Sequence, residues 1–535
     1  MSFQVSPGVR VREIDATNVV PAVSSSIGGF VGAFKWGPVN EIVNVGSETQ
    51  LAAIFGTPDS SNFQHFLTAA GFLRYANALK VVRAGASGQV QAEGAAWVAK
   101  YPGALGNSLK VSLISADSTA FNNWEYANLF TGAPGTSAYA DNLGKENDEM
   151  HIVVIDEDGL FTGTAGTVLE TYEFVSQASD AKTENGSTNY YVNVINEKSD
   201  YISWKAHDVN LTDAGSLVSN ITTAFVTEQI ELEESLTGGS NDVPTTADLQ
   251  VGYDLFEDSE TVDVNLLFAA PDLTGATIAN YLIAIAADRK DCMAFVSPPV
   301  SATVDTPTPA ANVLAWAEDL PSTSYAAADS TALYVYDKYN DEYRWIGASG
   351  HIAGLCANTD NIADAWFSPA GVNRGQLLNV VKLAFNPAKN DRDALYKGRV
   401  NPIVSFPGQG TFLFGDKTLL SKPSAFDRIN VRRLFIVLQK AIATAAKGQL
   451  FEFNDEFTRA QFRNLVEPFL RDVRGRRGIT DFLVICDQTN NTGQVVDANR
   501  FVADIFIKPA RSINFITLNF IATRTGVEFS EIAGA

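Results

Sequence analysis

The chain has 535 residues, 46% of them hydrophobic and 19% charged, with three cysteines. This composition excludes a disordered chain, and the length exceeds what one hydrophobic core organises, so several domains are expected. The formal net charge of −22 is uneven: residues 386–535 hold 21 Lys and Arg against 15 Asp and Glu, a net +6, which leaves −28 on the first 385 residues. An acidic bulk speaks against nucleic acid as a partner of the whole molecule.

In chain order, residues 1–20 read as an arm. Phe3 to Ile14 is extended in character, with Val5, Val9 and Val11 among polar neighbours and a Pro7-Gly8 turn. A lone strand is not stable, so it must join a sheet, its own or a neighbour's. Residues 21–95 look α/β, with strands at Ile27–Phe34, Glu41–Val45 and Leu79–Val82 and a helix over Phe63–Ala76. Ser47 to Gln50 is a capping-box pattern that opens a shorter helix. The Gly28-Gly29 pair and Gly32 are not followed by the Lys-Ser/Thr of a phosphate loop, and no G-x-G-x-x-G is present.

Residues 96–250 change texture. Apolar runs at Leu109–Ile114, His151–Ile155, Leu169–Val175, Tyr190–Ile195 and Tyr201–Trp204 alternate with Gly, Asn, Asp, Ser and Thr clusters, which predicts an inserted all-β domain. Asp156-Glu-Asp158-Gly159 has the opening of a calcium loop but lacks its other ligands, so a hairpin turn is the better reading. Asn185-Gly-Ser reads as a turn. From 251 to 385 the α/β pattern returns: strand Val262–Phe268, helix Ile278–Arg289, strand Cys292–Val296, helix Asn312–Leu320, and strands Thr331–Tyr336 and Tyr343–Ile346 framing Asn340-Asp341. The return predicts that 21–95 and 251–385 form one discontinuous core domain.

Residues 386–511 read as an α+β inner domain, and 512–535 as a C-terminal arm. Phe426 to Lys447 runs without Gly or Pro, with Val431, Phe435, Leu438, Ile442 and Ala445 on one helical face and Arg433, Lys440 and Lys447, seven apart, on another. A second helix spans about Asn454 to Arg474, with Arg459 and Arg463 one turn apart and Pro468 inside, where a kink or restart is expected. Arg471, Arg474, Arg476 and Arg477 form the densest basic cluster, without the interleaved aromatics of a nucleic-acid site. Thr480–Cys486, Phe501–Lys508 and Ser512–Thr523 read as strands; the last includes Ile513, Phe515, Leu518 and Phe520.

Nothing in the chain spells a catalytic or metal motif. His65, His151, His207 and His351 are scattered, with no H-E-x-x-H, no G-x-S-x-G and no P-loop. Cys292, Cys356 and Cys486 lie far apart, so buried thiols are expected rather than zinc or disulfides. No signal peptide and no bilayer-length apolar run is read, which predicts folding in a cytoplasm.

The stretches NPIVSFPGQGTFLFGDKTL (401–419), INVRRLFIVLQKAI (429–442) and FEFND (451–455) resemble, in order and spacing, the C-terminal domain of contractile tail sheath proteins of myophages. SPGVRVREID, FVGAFKWGPVNE, AKYPGALGNSLKV, RKDCMAFVSPP and the run Ser349–Gly375 extend the resemblance over nearly the whole chain. It implies a structural subunit without catalytic residues, cofactor or metal, located in the virion's contractile tail. Such subunits stack as hexameric rings around a tail tube protein, meet baseplate and tail terminator proteins, and contract to drive the tube through the host envelope. The inner domain would face the tube, here through Arg433, Lys440, Lys447, Arg459 and Arg463, and the terminal arms would pair with neighbouring subunits by β-strand addition. Two alternatives stand beside it: the sheath of a bacteriocin or secretion machine, and an α/β enzyme with a β-rich accessory domain.

Overall fold

The computed structural model describes residues 23–116, 118–207, 231–514 and 517. The proposed N-terminal arm, with Phe3, Val5, Val9 and Val11, lies outside the described residues, as do Phe515, Leu518 and Phe520 of the C-terminal arm. The chain forms two compact units, a large one of residues 22–365 and 369–441 and a smaller one that includes 366–368 and residues from 442 onward.

The large unit is built on a seven-stranded sheet in the order Val400–Asn401, Ala326–Asp329, Met293–Val296, Leu266–Phe268, Gly28–Gly32, Leu79–Arg83, Ile42–Val45. Every pairing is parallel except that of Ile42–Val45 with Leu79–Arg83. Parallel strands are covered on both faces and read as near-continuous apolar runs. Here the period of two divides them. Phe30, Phe268, Phe295 and Ala327 enter one core with helices Phe63–Leu73 and Ser349–Ile362. Val31, Leu267, Ala294 and Ala328 enter the other, with helices Thr246–Asp254, Thr277–Arg289 and Pro309–Glu318. The glycine pair serves this packing: a Cβ on Gly28 would lie 2.7 Å from the Phe72 ring, and one on Gly29 2.8 Å from Leu267.

An antiparallel sheet in the order Thr167–Ser176, Glu149–Asp156, Leu109–Ser115, Glu231–Ser235 forms the insertion, with Trp97–Ala99 paired to Ile202–Trp204 beside it. Tyr190–Ile195, read as a strand, lies mostly within the helix Tyr191–Lys198. Its buried residues Tyr191, Val192, Val194 and Ile195 follow helical spacing, which tertiary packing favours over their β-branched composition. The boundaries also differ from 96 and 250. Ala92 already belongs to the insertion's core and Val90 bridges to Ser240, whereas Tyr253 and Phe256 pack in the core domain and the Tyr253 hydroxyl donates to the Phe268 carbonyl. Asp156 organises the turn at Asp158-Gly159. Its carboxylate accepts from the Ser108 hydroxyl at 2.7 Å and from the amides of Phe161 and Thr162 at 3.0 and 2.8 Å.

Two residues join the insertion to the core. Trp36, 3% exposed, follows the central strand but packs in the insertion's core against Tyr101, Phe161 and Tyr201. Arg83, fully buried, donates to the carbonyls of Phe34, Gly37 and Pro102 at 3.0, 2.9 and 2.5 Å. Burial without a neutralising carboxylate lowers its pKa to about 10.

The basic shift at residue 386 is not a structural boundary. Val400, Leu395 and Leu419 are buried on one face of the large sheet, and Ile403, Leu413 and Ile429 on the other. Net charge is a surface property and does not report where apolar residues are buried. In the smaller unit the helix Glu456–Gly475 runs through Pro468 without a restart; Asp455 caps it by accepting from the Thr458 amide at 2.8 Å. Phe462, Leu465, Val466, Leu470 and Val473 line its buried stripe, and Pro468 sits on the exposed side. Strands Ile479–Ile485 and Asp504–Pro509 then form an antiparallel ribbon.

Candidate assembly surface

The ribbon Ile479–Ile485/Asp504–Pro509 is a two-stranded sheet among the described residues. Its register pairs Val484 with Ile505 and Leu483 with Phe506, and Lys508 meets Asp481 at 3.1 Å. Asn491 braces the connection by accepting from the Val502 amide at 2.9 Å and donating to the Val502 carbonyl at 2.7 Å. Among the described residues each strand of the ribbon has one partner strand, and the outer edges of so small a sheet are where strand addition can take place. Leu483 and Phe506 are both more than half exposed on it. Ser512, Ile513 and Asn514 follow without strand structure, and Ile513 is exposed. The predicted strand beyond them lies outside the described residues.

The five basic residues expected on one tube-facing surface are placed differently. Arg433 is buried at 3% exposure: its guanidinium donates to the Cys356 and Ser25 carbonyls at 3.0 and 3.1 Å and pairs with Asp360 at 2.6 Å. Burial opposes its charge, but Asp360 more than compensates and the pKa is raised. Arg459 is also buried, its guanidinium donating to the side-chain and backbone oxygens of Asn454 at 2.7 and 2.9 Å. Both are therefore withdrawn from the exposed surface. Their seven- and four-residue spacings identify a helical face, but spacing does not say whether that face meets solvent. Lys440 pairs with Asp263, Arg463 is half-buried, and Lys447 is exposed in the turn after the helix Ile429–Ala446. Arg433 and Lys440 belong to the large unit, and Lys447, Arg459 and Arg463 to the smaller one.

Sequence reasoning missed an apolar surface beside Lys447. Leu450, Phe451, Phe453 and Phe457 are all well exposed, Phe451 fully so. Four such residues within eight positions are unusual on a solvated surface. The FEFND string contained the signal, in phenylalanines alternating with acidic residues rather than following helical periodicity.

The histidines are structural. His351 sits near the start of Ser349–Ile362, buried, with its Nδ1 3.1 Å from the Tyr75 hydroxyl, and burial lowers its pKa to about 3. His65 is likewise lowered to about 4. Cys292, Cys356 and Cys486 are buried free thiols. Among the described residues, no group of three His, Cys, Asp or Glu is placed to hold a metal, and no helix is long and apolar enough to cross a membrane.

Comparison with known proteins supplies the family. Residues 26–84 match the "Tail sheath protein Gp18 domain III N-terminal region", 242–419 the "Phage tail sheath protein central domain", and 421–523 the "Phage tail sheath C-terminal domain". The tail sheath protein of Vibrio phage KVP40 is 33% identical, aligned over 99% of this chain and 100% of its own. The tail sheath protein of Enterobacteria phage T4 is 32% identical over 99% of both. Among solved structures, the sheath of an extracellular contractile injection system, PVC, in its contracted state aligns at TM-score 0.54 and 14% identity, covering 98% of this chain and 99% of that one. A sheath tail protein from Desulfitobacterium hafniense aligns at TM-score 0.54 and 13% identity over 90% and 94%. These two likenesses carry the mixed α/β multidomain fold. The full-length relatives carry the biology: they are structural components of phage virions and not enzymes. The chain therefore belongs to the phage tail sheath protein family, the structural proteins of contractile myophage tails.

Proposed function

We propose that this chain polymerises as stacked hexameric rings around a tail tube and contracts to drive the tube through the host envelope. The carrying observation is the ribbon Ile479–Ile485/Asp504–Pro509, which is two-stranded among the described residues. In this reading the ribbon of one subunit accepts strands from its neighbours: Phe3–Ile14, with Phe3, Val5, Val9 and Val11, and the C-terminal arm, with Ile513, Phe515, Leu518 and Phe520. Each net backbone hydrogen bond contributes about 0.5–1.5 kcal/mol, so an arm making about half a dozen adds several kcal/mol per junction. Linkers bend while the ladders persist, and subunits slide without separating. The contraction energy is held as a difference between two packings of folded subunits, released when the baseplate removes a kinetic barrier.

Lys447 and Arg463 are assigned to the tube, and the Leu450–Phe457 patch beside Lys447 is its apolar complement. The insertion lies on the outside, the baseplate and tail terminator bind the ends, and assembly takes place in the host cytoplasm. The phage reading is preferred to a bacteriocin or secretion sheath because the full-length phage relatives are 31–33% identical, whereas PVC shares the fold at 14%.

Truncation tests the reading. The full chain should form long striated tubes in negative stain, and a chain lacking residues 1–16 should remain a soluble, cooperatively melting monomer. Tubes formed equally well by the truncated chain would overturn this strand exchange. So would aggregation or a much lower melt, since the arm would then belong to its own core.

A further inference from the structure

Arg433 is buried, and its hydrogen bonds lead to the start of the central strand. The central strand begins at Gly28, and the sheet holds the chain from Ile27 onward. The Ile27 carbonyl accepts from the amides of Asn265 and Leu266 at 2.9 and 3.1 Å, and the Gly28 amide donates to Ala78 at 2.9 Å. Upstream of this point a second device takes over. The Ser25 carbonyl accepts from Arg433 Nη2 at 3.1 Å, and the Ser25 hydroxyl donates to Asp360 Oδ2 at 2.7 Å. Asp360 Oδ2 also receives Arg433 Nη2 at 2.6 Å, while Arg433 Nη1 donates to the Cys356 carbonyl.

The three side chains come from remote parts of the sequence: the entry to the central strand, the helix Ser349–Ile362 and the helix Ile429–Ala446. Arg433 and Asp360 have side chains 4% and 8% exposed. The other Asp360 oxygen is buried with no donor among the described residues, so the hydrogen bonding of this carboxylate rests on the cluster. An arginine fork can span a carboxylate and two carbonyls, which a lysine ammonium cannot do from one position.

We propose that Arg433, Asp360 and Ser25 form an anchor for the root of the N-terminal arm, through which tension on the arm enters two helices instead of peeling the central strand from the sheet. Arg433 is thus a positioning residue for assembly and contraction. The proposal rests on the reading of residues 1–20 as an arm linked to a neighbour.

Removing one member of a buried pair strands the other and can unfold the protein, so R433A is the wrong probe. R433K keeps the charge beside Asp360 and loses the span to Ser25; S25A keeps the ion pair intact and loses one bond. Hydrogen exchange on the monomer should show the Ile27 and Gly28 amides opening about tenfold faster in R433K, the factor that follows from one lost charge-assisted hydrogen bond. S25A should give a smaller change in the same direction, and both variants should melt within about 2–4 °C of wild type. R433K tubes should assemble and then break into separate rings on contraction. Unchanged exchange at Ile27 and Gly28, or unbroken contracted tubes, would overturn the anchor. A uniform rise in exchange across the large unit in both variants would also overturn it, because Arg433 would then hold the fold as a whole. If the chain lacking residues 1–16 still forms tubes, the arm reading fails by itself, and the exchange result at the two amides still decides the anchor.

Discussion

Replacing Trp36 by alanine should uncouple the insertion from the core domain. The indole makes edge-on contacts with Tyr101 and Phe161 at centroid distances of 5.3 and 5.1 Å and lies nearly parallel to Tyr201 at 6.5 Å. A buried Trp→Ala change costs about 3–5 kcal/mol, to which each aromatic pair contributes about 0.5–1.5 kcal/mol. The loss falls on the insertion, because Trp36 packs with its residues and not in the two cores flanking the large sheet. A domain of this size loses about 2–4 °C of melting temperature per kcal/mol, so its transition should drop by about 6–20 °C. Scanning calorimetry of the monomer should then resolve two transitions, the lower from the insertion and the upper unchanged. One transition displaced as a whole would refute the reasoning, since Trp36 would then support the core. A drop below about 2 °C would mean that the aromatic box carries little of the joint.

Two other perturbations follow from the cores. Gly350→Ala places a Cβ 2.1 Å from the Thr68 carbonyl oxygen, which forces the helix Ser349–Ile362 off Phe63–Leu73. It should cost at least about 1–3 kcal/mol in urea unfolding, with Gly132→Ala, which meets nothing within 4 Å, as the silent control; equal midpoints would contradict the helix contact. Asp329 is buried beside the Ser297 hydroxyl, and burial raises its pKa from 3.8 to about 7. The folded chain therefore keeps a proton that the unfolded chain sheds above about pH 4, so this contribution to stability is full below pH 4 and is lost as pH rises to about 7. D329N should flatten that component of the melting profile, and an unaltered slope over the interval would show that Asp329 does not titrate there.

How much of this was legible depended on the scale of the interaction. Local signals were dependable: Ser47 accepts from the Gln50 amide at 3.1 Å as its capping pattern predicts, and the helix predicted over Phe63–Ala76 runs Phe63–Leu73. The two long C-terminal helices also run near their predicted bounds, but in Ile429–Ala446 only Val431 and Leu438 of the predicted apolar face are buried, and Ile429, Leu434, Ile436 and Ala441 are buried where Phe435, Ile442 and Ala445 are not. Arg433 shows where such signals stop. A basic residue on a repeating face looks solvated until Asp360, 73 positions away, is brought beside it. Trp36 and Arg83 were silent for the same reason, since the aromatic partners of Trp36 and the Pro102 carbonyl that Arg83 reaches lie across the junction with the insertion. The exposed phenylalanines were visible as letters, but burial is the default expectation for Phe, and only the folded chain shows them uncovered.

The order of strands in the large sheet also sets a timetable for synthesis. Gly28–Gly32 can pair with Leu79–Arg83 early, but its other neighbour, Leu266–Phe268, emerges about 180 residues later. At about 5–20 residues per second, the ribosome leaves that flank of the strand unpaired for roughly 10–40 s. Meanwhile most of the insertion, whose strands are contiguous from Trp97 to Ser235, can close on itself beside the waiting half-sheet. The half-sheet meanwhile presents a bare, glycine-rich apolar edge to every other nascent copy. Codon changes that slow translation between residues 84 and 265 should therefore lower soluble yield by lengthening this interval, with no change in the stability of the finished fold.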